Sequence, residues 1–168
     1  MKPVRDRIKE NLAVLFVGFN PGVRSSETGH HFAGPSNRFW KILHESGLTP
    51  RKLDPSEGDL LLELGMGITN IVARPTKAAA EITKEEFKEG RDILKQKIER
   101  LKPQIVCYVG KGVYLEYSGR KTAPWGIQEE AIVPGSVDFV APNTSGLVRM
   151  KLEEMVEIYR ELARLVVK

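Results

Sequence analysis

The sequence predicts an α/β domain built on a largely parallel central sheet, and two observations lead to this fold class. Short apolar runs at 12–17 and 105–109 each end at a glycine, which is typical of buried strands that lead into a tight turn. Longer segments with helical periodicity alternate with such runs along the chain. Because crossovers between parallel strands are right-handed, we expect helices on both faces of the sheet.

The first predicted helices follow the first strand. Phe39 and Leu43 lie at helical spacing within 36–46, and Gly47 is a natural stop. A further helical turn or two is predicted at 59–64.

Two longer helices are predicted in the second half of the chain. Thr83 and Glu86 have the spacing of a capping box, and apolar residues then recur on one helical face as far as Lys102. An amphipathic pattern over 152–166 predicts a terminal helix.

The remaining strands are predicted close to the C-terminal helix. Apolar stretches at 131–134 and 137–140 flank a glycine-serine turn and bring the predicted sheet to about four strands. A polar loop at 142–148 follows. Loops after Val17 and after Val140 would therefore flank one crevice at the carboxyl ends of the strands, where open α/β sheets bind ligands.

Length and composition indicate one soluble globular domain over 1–168. A chain of 168 residues can bury a substantial core, and its 41% hydrophobic and 29% charged content is ordinary for a globular protein. No apolar run approaches the roughly 18 residues that span a bilayer, and the N-terminus has no secretory apolar segment. A cytoplasmic protein without a membrane partner is therefore expected.

Net charge and cysteine content indicate which partners and which kinds of site the chain can have. The net charge of +4 favours a polyanionic partner, although many basic proteins of this size bind no nucleic acid. Cys107 is the only cysteine, which excludes an internal disulfide and a multi-cysteine metal site, and its apolar run favours a buried thiol over a nucleophile. His30 and His31 are adjacent, and adjacent residues rarely ligate one ion together, so no metal is predicted.

The polar segment after the first strand is the strongest candidate site. Gly18-Phe-Asn-Pro-Gly22 turns the backbone at once and places the Asn20 amide at the mouth of the strand. Residues 28–40 then add histidines, aromatics, asparagine and arginine. Two interpretations of the glycine-rich turn stay open: a phosphate cradle, or a tight turn in which Asn20 bonds its own backbone. Neither a Walker loop nor a complete dinucleotide fingerprint is present, which disfavours a nucleotide cofactor.

A second polar loop, 142–149, carries an apolar residue near its tip and a cation close behind. Leu147 and Arg149 have the chemistry of a wedge that displaces a base from a duplex and of a cation that holds a phosphate. The alternative is that Leu147 packs against the helix that follows. The pattern alone does not decide between the two.

Together these stretches resemble the mismatch-specific uracil/thymine DNA glycosylases, a branch of the uracil-DNA glycosylase superfamily. The matching motifs are Gly18-Phe-Asn-Pro-Gly22, Gly29-His-His-Phe32, Gly34-Pro35, Asn37-Arg-Phe-Trp40, Gly67-Ile-Thr-Asn70, Val72, Arg74-Pro-Thr76, Phe87-Lys-Glu-Gly90, Gly110-Lys111 and the loop from Asn143 to Arg149. They cover almost the whole chain. The chain departs from the family pattern at three positions. The pattern has a branched aliphatic residue in place of Phe19, a proline in place of Thr144 and a small polar residue in place of Val148. The changes at Phe19 and Thr144 bear on substrate preference.

The resemblance implies a three-layer α/β/α fold of the uracil-DNA glycosylase type and a DNA repair reaction. The implied reaction is hydrolysis of the N-glycosidic bond of uracil, and more slowly thymine, mispaired with guanine in double-stranded DNA, leaving an abasic site. It implies no cofactor and a monomeric protein. Two other functions stay open, a non-catalytic nucleic-acid-binding module of the same fold and a small-nucleoside hydrolase.

The resemblance also implies roles for individual residues. Asn20 would orient the attacking water, Phe32 would stack on the flipped base, and backbone N–H groups near Phe19 and Phe32 would hold its carbonyl oxygens. The implied catalytic residues are Asn20, Asn143 and His31; the implied base pocket is Phe19, Ser25, Phe32 and Asn70; the implied DNA wedge is Ser145, Gly146, Leu147 and Arg149.

Overall fold

Five strands form one sheet in the computed structural model, which describes residues 1–166. The strands are β1 (Val14–Gly18), β2 (Met66–Asn70), β3 (Ile105–Val109), β4 (Gly126–Ile127) and β5 (Val137–Ala141). They lie in the order β2-β1-β3-β5-β4, with β4 antiparallel to β5 and every other neighbouring pair parallel. The predicted mostly parallel α/β sheet is confirmed, with one strand more than the expected four.

Six α-helices within the described part of the chain surround the sheet. They are α1 (Val23–Thr28), α2 (Phe39–Glu45), α3 (Gly58–Glu63), α4 (Lys84–Leu101), α5 (Lys111–Ser118) and α6 (Leu152–Leu165). Single 3-10 turns lie at Pro55–Glu57 and Ala79–Glu81. None of the helices within residues 1–166 combines the length and apolar character needed to cross a membrane.

Two separate hydrophobic cores give the molecule its three layers. Alternate residues of β1 point to opposite faces, so Phe16 joins one core and Val17 the other. Residues of α2, α3 and α6 pack with Phe16, including the fully buried Tyr159. Residues of α4 and α5 pack with Val17 on the opposite face. The central strands β1 and β3 are buried along their whole length, as expected for a parallel sheet covered on both sides.

Capping side chains set the starts of two predicted helices. The Thr83 hydroxyl accepts from the Glu86 N–H at 3.1 Å and the Glu86 carboxylate accepts from the Thr83 N–H at 3.1 Å, which confirms the capping box of α4. The helix predicted at 36–46 begins instead at Phe39, because the Asn37 side chain accepts from the Phe39 N–H at 2.9 Å.

The structure differs from the sequence predictions in two places, one strand that was not predicted and one predicted strand that is a loop. Strand β2 was not predicted, because Gly67 and the polar residues after it interrupt the apolar pattern. A side chain at Gly67 would lie 2.5 Å from the Arg7 carbonyl oxygen, so the close approach of the N-terminal segment requires glycine there. The strand predicted at 131–134 is wrong: this segment is a loop whose Ile132 N–H donates to the Asp138 carboxylate at 2.9 Å. The antiparallel partner of β5 is the two-residue strand β4.

Candidate active site

A cavity of about 240 Å³ opens at the carboxyl ends of the parallel strands. It lies between the end of β2, the turn after β1, the end of β3 and the loop after β5, so the two predicted loops do face one crevice. This volume is below the roughly 300–1,000 Å³ of sites for drug-sized ligands and suits one small ring. All seven predicted catalytic and base-pocket residues line it: Phe19, Asn20, Ser25, His31, Phe32, Asn70 and Asn143.

The side-chain amide of Asn20 is held in one orientation. Its Nδ2 donates to the Arg74 carbonyl oxygen at 2.8 Å and to Thr76 Oγ1 at 2.9 Å. Thr76 Oγ1 donates its own proton to the Ala78 carbonyl oxygen at 2.8 Å, so it can only accept from Asn20. Because a backbone carbonyl also only accepts, the nitrogen must face these partners. The Asn20 side-chain oxygen is therefore the end of the amide that is left to bind a group in the cavity.

Phe32 presents an aromatic surface to the cavity. It adopts a left-handed backbone conformation with φ of 51°, and its ring stacks on Phe39 at a centroid separation of 4.0 Å and an interplanar angle of 20°. One face of the Phe32 ring is thus covered by protein. A side chain at Gly18 would lie 2.7 Å from Asn70 Oδ1 and 3.5 Å from the Phe32 ring, so Gly18 allows both groups to meet at the end of β1.

His31 is a buried, neutral histidine. It is 5% exposed, and its Nε2 lies 2.9 Å from the Arg5 carbonyl oxygen. Since that oxygen only accepts, Nε2 carries the proton and Nδ1 is the unprotonated nitrogen. Burial lowers the pKa of His31, with the hydrogen bond to Arg5 opposing the shift. His31 therefore shapes the cavity without supplying a proton or a positive charge at neutral pH.

The side chains of Phe19 and Ser25 are held by the protein around the cavity. The Phe19 ring packs edge-on against Phe87 at 6.1 Å, and a side chain at Gly112 would lie 2.8 Å from it. That ring is directed to the face that carries α4 and α5. Ser25 Oγ accepts from the Ala33 N–H at 3.2 Å and ties α1 to the residue directly after Phe32.

The segment 143–149, here named the wedge loop, is fastened to the loop before α2. Asn143 Oδ1 accepts from the Ser145 N–H at 2.9 Å. The buried Thr144 hydroxyl donates to Asn37 Oδ1 at 2.8 Å. The guanidinium of Arg38 donates to the Ser145 and Val148 carbonyl oxygens at 2.9 and 3.1 Å. Hydrogen bonds thus hold the loop at the position where the resemblance predicts a proline and this chain has Thr144.

The tip of the wedge loop combines a tight contact with an exposed apolar side chain. A side chain at Gly146 would lie 2.7 Å from the Ser36 Cβ and 2.8 Å from the Ser36 carbonyl oxygen. Only glycine therefore allows the loop to pack this closely against the segment 34–38. Leu147 is 93% exposed and does not pack against α6. The helix-packing alternative for Leu147 is therefore wrong. Arg149 is exposed beside it.

Charge in and around the cavity restricts its chemistry. No carboxylate lines it within residues 1–166, and Arg24 is the one permanently charged side chain that does. In the same residues no group of three or more His, Cys, Asp or Glu is placed to hold a metal ion. Cys107 is buried in β3, and burial raises the pKa of its thiol, so it is not a nucleophile. The cavity therefore offers amides, aromatic rings, a hydroxyl, a neutral imidazole and one cation.

Sequence reasoning missed several residues that build the site. Arg24 lines the cavity, Arg38 fastens the wedge loop, and Arg74 and Thr76 hold Asn20. Arg38, Arg74 and Thr76 all lie in the family-like motifs, which is the only signal that could have found them. Their partners are distant in the chain, with Asn20 and Thr76 separated by 56 positions.

Comparison with known proteins places this geometry in a family. A solved structure that resembles the chain is the solution NMR structure of a protein from Methanosarcina acetivorans, provisionally named a uracil DNA glycosylase. The two share 16% sequence identity with a TM-score of 0.61, and the match covers 96% of this chain and 98% of that one, which shows a common fold. The family model of the Uracil DNA glycosylase superfamily matches residues 6–163. Because that match spans all the strands and the whole cavity, the chain belongs to the Uracil DNA glycosylase superfamily.

Proposed function

We propose that the protein is a monofunctional, monomeric DNA glycosylase of the mismatch-specific branch. It flips uracil, and more slowly thymine, mispaired with guanine out of double-stranded DNA and hydrolyses the N-glycosidic bond. Membership of the superfamily supports a DNA glycosylase role in repair. The observation that carries the proposal is the Asn20 amide, whose nitrogen is bonded to Arg74 and Thr76 and whose oxygen is left for the cavity.

Hydrolysis by this site relies on a positioned water. The bond between the base and C1′ breaks, the sugar takes on cationic character, and the base leaves as an anion. The Asn20 oxygen accepts a hydrogen bond from the water and holds its lone pair towards C1′, which removes the entropic cost of bringing water and sugar together. The water then adds to C1′ and loses a proton, and the departing base takes up one from solvent.

Among residues 1–166 no carboxylate lines the cavity, which fits this chemistry. Uracil leaves as a stabilised anion, so a strong acid at the base is less necessary than in other glycoside hydrolysis. Arg24 lines the cavity and favours the negative charge that develops on the leaving base. The DNA phosphates stabilise the cationic sugar.

Recognition of the flipped base uses the ring of Phe32 and two amides. One face of Phe32 rests on Phe39, and a base would stack on the other face, a sequence-tolerant contact. Asn70 lies beside Phe32 over Gly18 and would hydrogen-bond the base edge. Asn143 closes the other side, with its oxygen bonded to the Ser145 N–H. The neutral His31 bounds the pocket without a charge.

A single assay separates this function from its rivals. A duplex with one G·U pair is incubated with the protein and then treated with alkali, which cleaves the strand at abasic sites. Strand cleavage supports the glycosylase. Binding without cleavage would indicate a non-catalytic DNA-binding module, and release of uracil from free nucleosides alone would indicate a small-nucleoside hydrolase.

Uracil opposite guanine is expected to be removed fastest, with thymine opposite guanine removed slowly but measurably. A mispair is easier to unpair than a matched pair, and the methyl group of thymine changes discrimination by roughly 1–3 kcal/mol unless the pocket excludes it. Ser25 is small and leaves space at this position of the lining. Single-turnover rates on G·U, G·T and A·U duplexes test this order. Cleavage of A·U as fast as G·U would contradict the mismatch-specific part of the proposal.

Arg149→Ala is expected to weaken duplex binding without changing base preference. Each neutralised phosphate contributes a slope of about −0.9 to the dependence of log affinity on log salt, so losing one contact should reduce the slope by about one unit. Affinity is measured by fluorescence anisotropy at several salt concentrations. Arg100→Ala is the control, since Arg100 is exposed in the last turn of α4 at the opposite end of the sheet. An equal change in both variants would show that Arg149 makes no specific contact.

A further inference from the structure

The Asn20 amide depends on a segment that has no regular structure of its own. Residues 74–78 follow the end of β2 outside any helix or strand. The segment supplies both partners of the Asn20 nitrogen, the Arg74 carbonyl oxygen and Thr76 Oγ1. The Thr76 N–H also donates to the Pro21 carbonyl oxygen at 3.1 Å, so the two segments are joined at three points.

The Arg74 side chain fixes this segment to helix α4. Its Nε and Nη2 donate to the two carboxylate oxygens of Glu86 at 2.8 and 2.9 Å, and Nη2 also donates to the Glu81 carbonyl oxygen at 3.0 Å. Such a two-pronged contact fixes direction as well as distance. Glu86 is in turn immobilised by its capping box with Thr83.

Helix α4 is itself a rigid support. Its Gly90 lies so close to the end of β2 that an added side chain would be 2.1 Å from the Ile71 carbonyl oxygen. Leu94 and Ile98 bury the next turns in the core. A continuous series of contacts therefore runs from the core through Glu86 and Arg74 to Asn20.

We propose that the Arg74–Glu86 ion pair is a positioning device for Asn20. It holds the Arg74 carbonyl oxygen in place, this oxygen orients the Asn20 amide, and the amide orients the water. The pair touches neither base nor DNA in this role, so it controls the hydrolytic rate and not duplex affinity. The inference rests on the proposed function of Asn20.

The chain contains a matched control pair that has no such connection. Arg51 donates to both carboxylate oxygens of Glu57 at 3.0 and 2.5 Å, and Glu57 also caps Asp54. Hydrogen bonds from arginine lower the pKa of Glu57 and of Glu86 alike to about 2, so both pairs are ionised at neutral pH. The arginine and glutamate side chains are 56% and 30% exposed in the control pair, against 50% and 25% in Arg74–Glu86. Exposed pairs of this kind contribute little to stability.

The test compares Glu86→Ala with Glu57→Ala, since each change removes one ion pair and one capping box. We expect Glu86→Ala to slow single-turnover uracil release from a G·U duplex about 10- to 100-fold, because small misplacements in a site have effects of this order. Glu57→Ala should leave the rate within about twofold of the wild type, because the Arg51–Glu57 pair has no hydrogen bond to the residues that hold Asn20. Duplex affinity, measured with an uncleavable 2′-fluoro-deoxyuridine analogue, should be unchanged in both. Equal rates in the two variants would overturn the proposal.

Two further readouts separate positioning from general damage. In an Asn20→Ala background, Glu86→Ala should cause no additional loss of rate, because the two residues act through one water. The Asn20 side-chain amide protons, followed by NMR, should shift and exchange faster in Glu86→Ala and not in Glu57→Ala. Unchanged Asn20 amide signals in Glu86→Ala would contradict the inference, whatever the rate of uracil release in that variant. Failure of the wild-type protein to release uracil would instead remove the proposed function.

Discussion

Asn20→Ala is expected to lose uracil excision by roughly 10²- to 10³-fold or more, which is the usual effect of removing one preorganised polar group from an active site. In the proposed mechanism the amide contacts the water and not the base, so it acts on the transition state and leaves ground-state binding unchanged. Single-turnover rates on a G·U duplex and the affinity for the uncleavable analogue measure the two effects separately.

The hydrogen bonds of Asn20 define the control for this experiment. Removing the side chain leaves the Arg74 carbonyl oxygen and Thr76 Oγ1 without their donor, so the turn after β1 loses two of its hydrogen bonds. Thr76→Val removes one of these bonds and keeps Asn20, so it should cause a smaller loss of rate. Parallel loss of rate and duplex affinity in Asn20→Ala would show that Asn20 is a structural turn residue. Full activity of the Asn20→Ala variant would show that Asn20 takes no part in the reaction.

The apolar and capping patterns along the sequence predicted several strands and helices correctly. The apolar run at 105–109 coincides with β3, and the capping box at Thr83 starts α4 as predicted. Both depend on residues that are neighbours in sequence. Strand β2 was missed because its glycine and polar residues serve contacts with the N-terminal segment, including the bond between the Thr69 hydroxyl and the Asp6 carboxylate at 2.9 Å. Such contacts between distant segments produce no periodic pattern of apolar residues, so the sequence does not indicate them.

The composition of the site was predicted, but the orientation of its side chains was not. The seven residues taken from the family resemblance line one cavity because their loops share the carboxyl edge of the sheet. The direction of the Phe19 ring depends on space left by Gly112, which lies far along the chain. The protonation of His31 depends on the Arg5 carbonyl oxygen in the same way. These features follow from tertiary contacts, so spacing along the chain cannot reveal them.

Leu147→Ala is expected to reduce excision from duplex DNA far more than excision from single-stranded DNA. The Leu147 side chain is 93% exposed on a loop fastened by Arg38. In the proposed mechanism it enters the base stack when the target nucleotide leaves it. Unstacking costs a few kcal/mol in a duplex and is already complete in a single strand, so only the duplex reaction loses the contribution of the wedge. The measurement is the ratio of single-turnover rates on a G·U duplex and on the same uracil-containing strand alone.

The exposure of Leu147 also predicts that thermal stability stays unchanged in the variant, since an exposed side chain loses little buried contact on truncation. Leu64→Ala is the matched control, because Leu64 is 39% exposed and caps α3 just before β2 begins, at the edge of the sheet opposite the cavity. It should alter neither rate. Equal losses on duplex and single strand in Leu147→Ala would mean that the side chain acts on the base pocket and not on the stack. An unchanged duplex rate would show that the fastened loop opens the helix without an apolar tip.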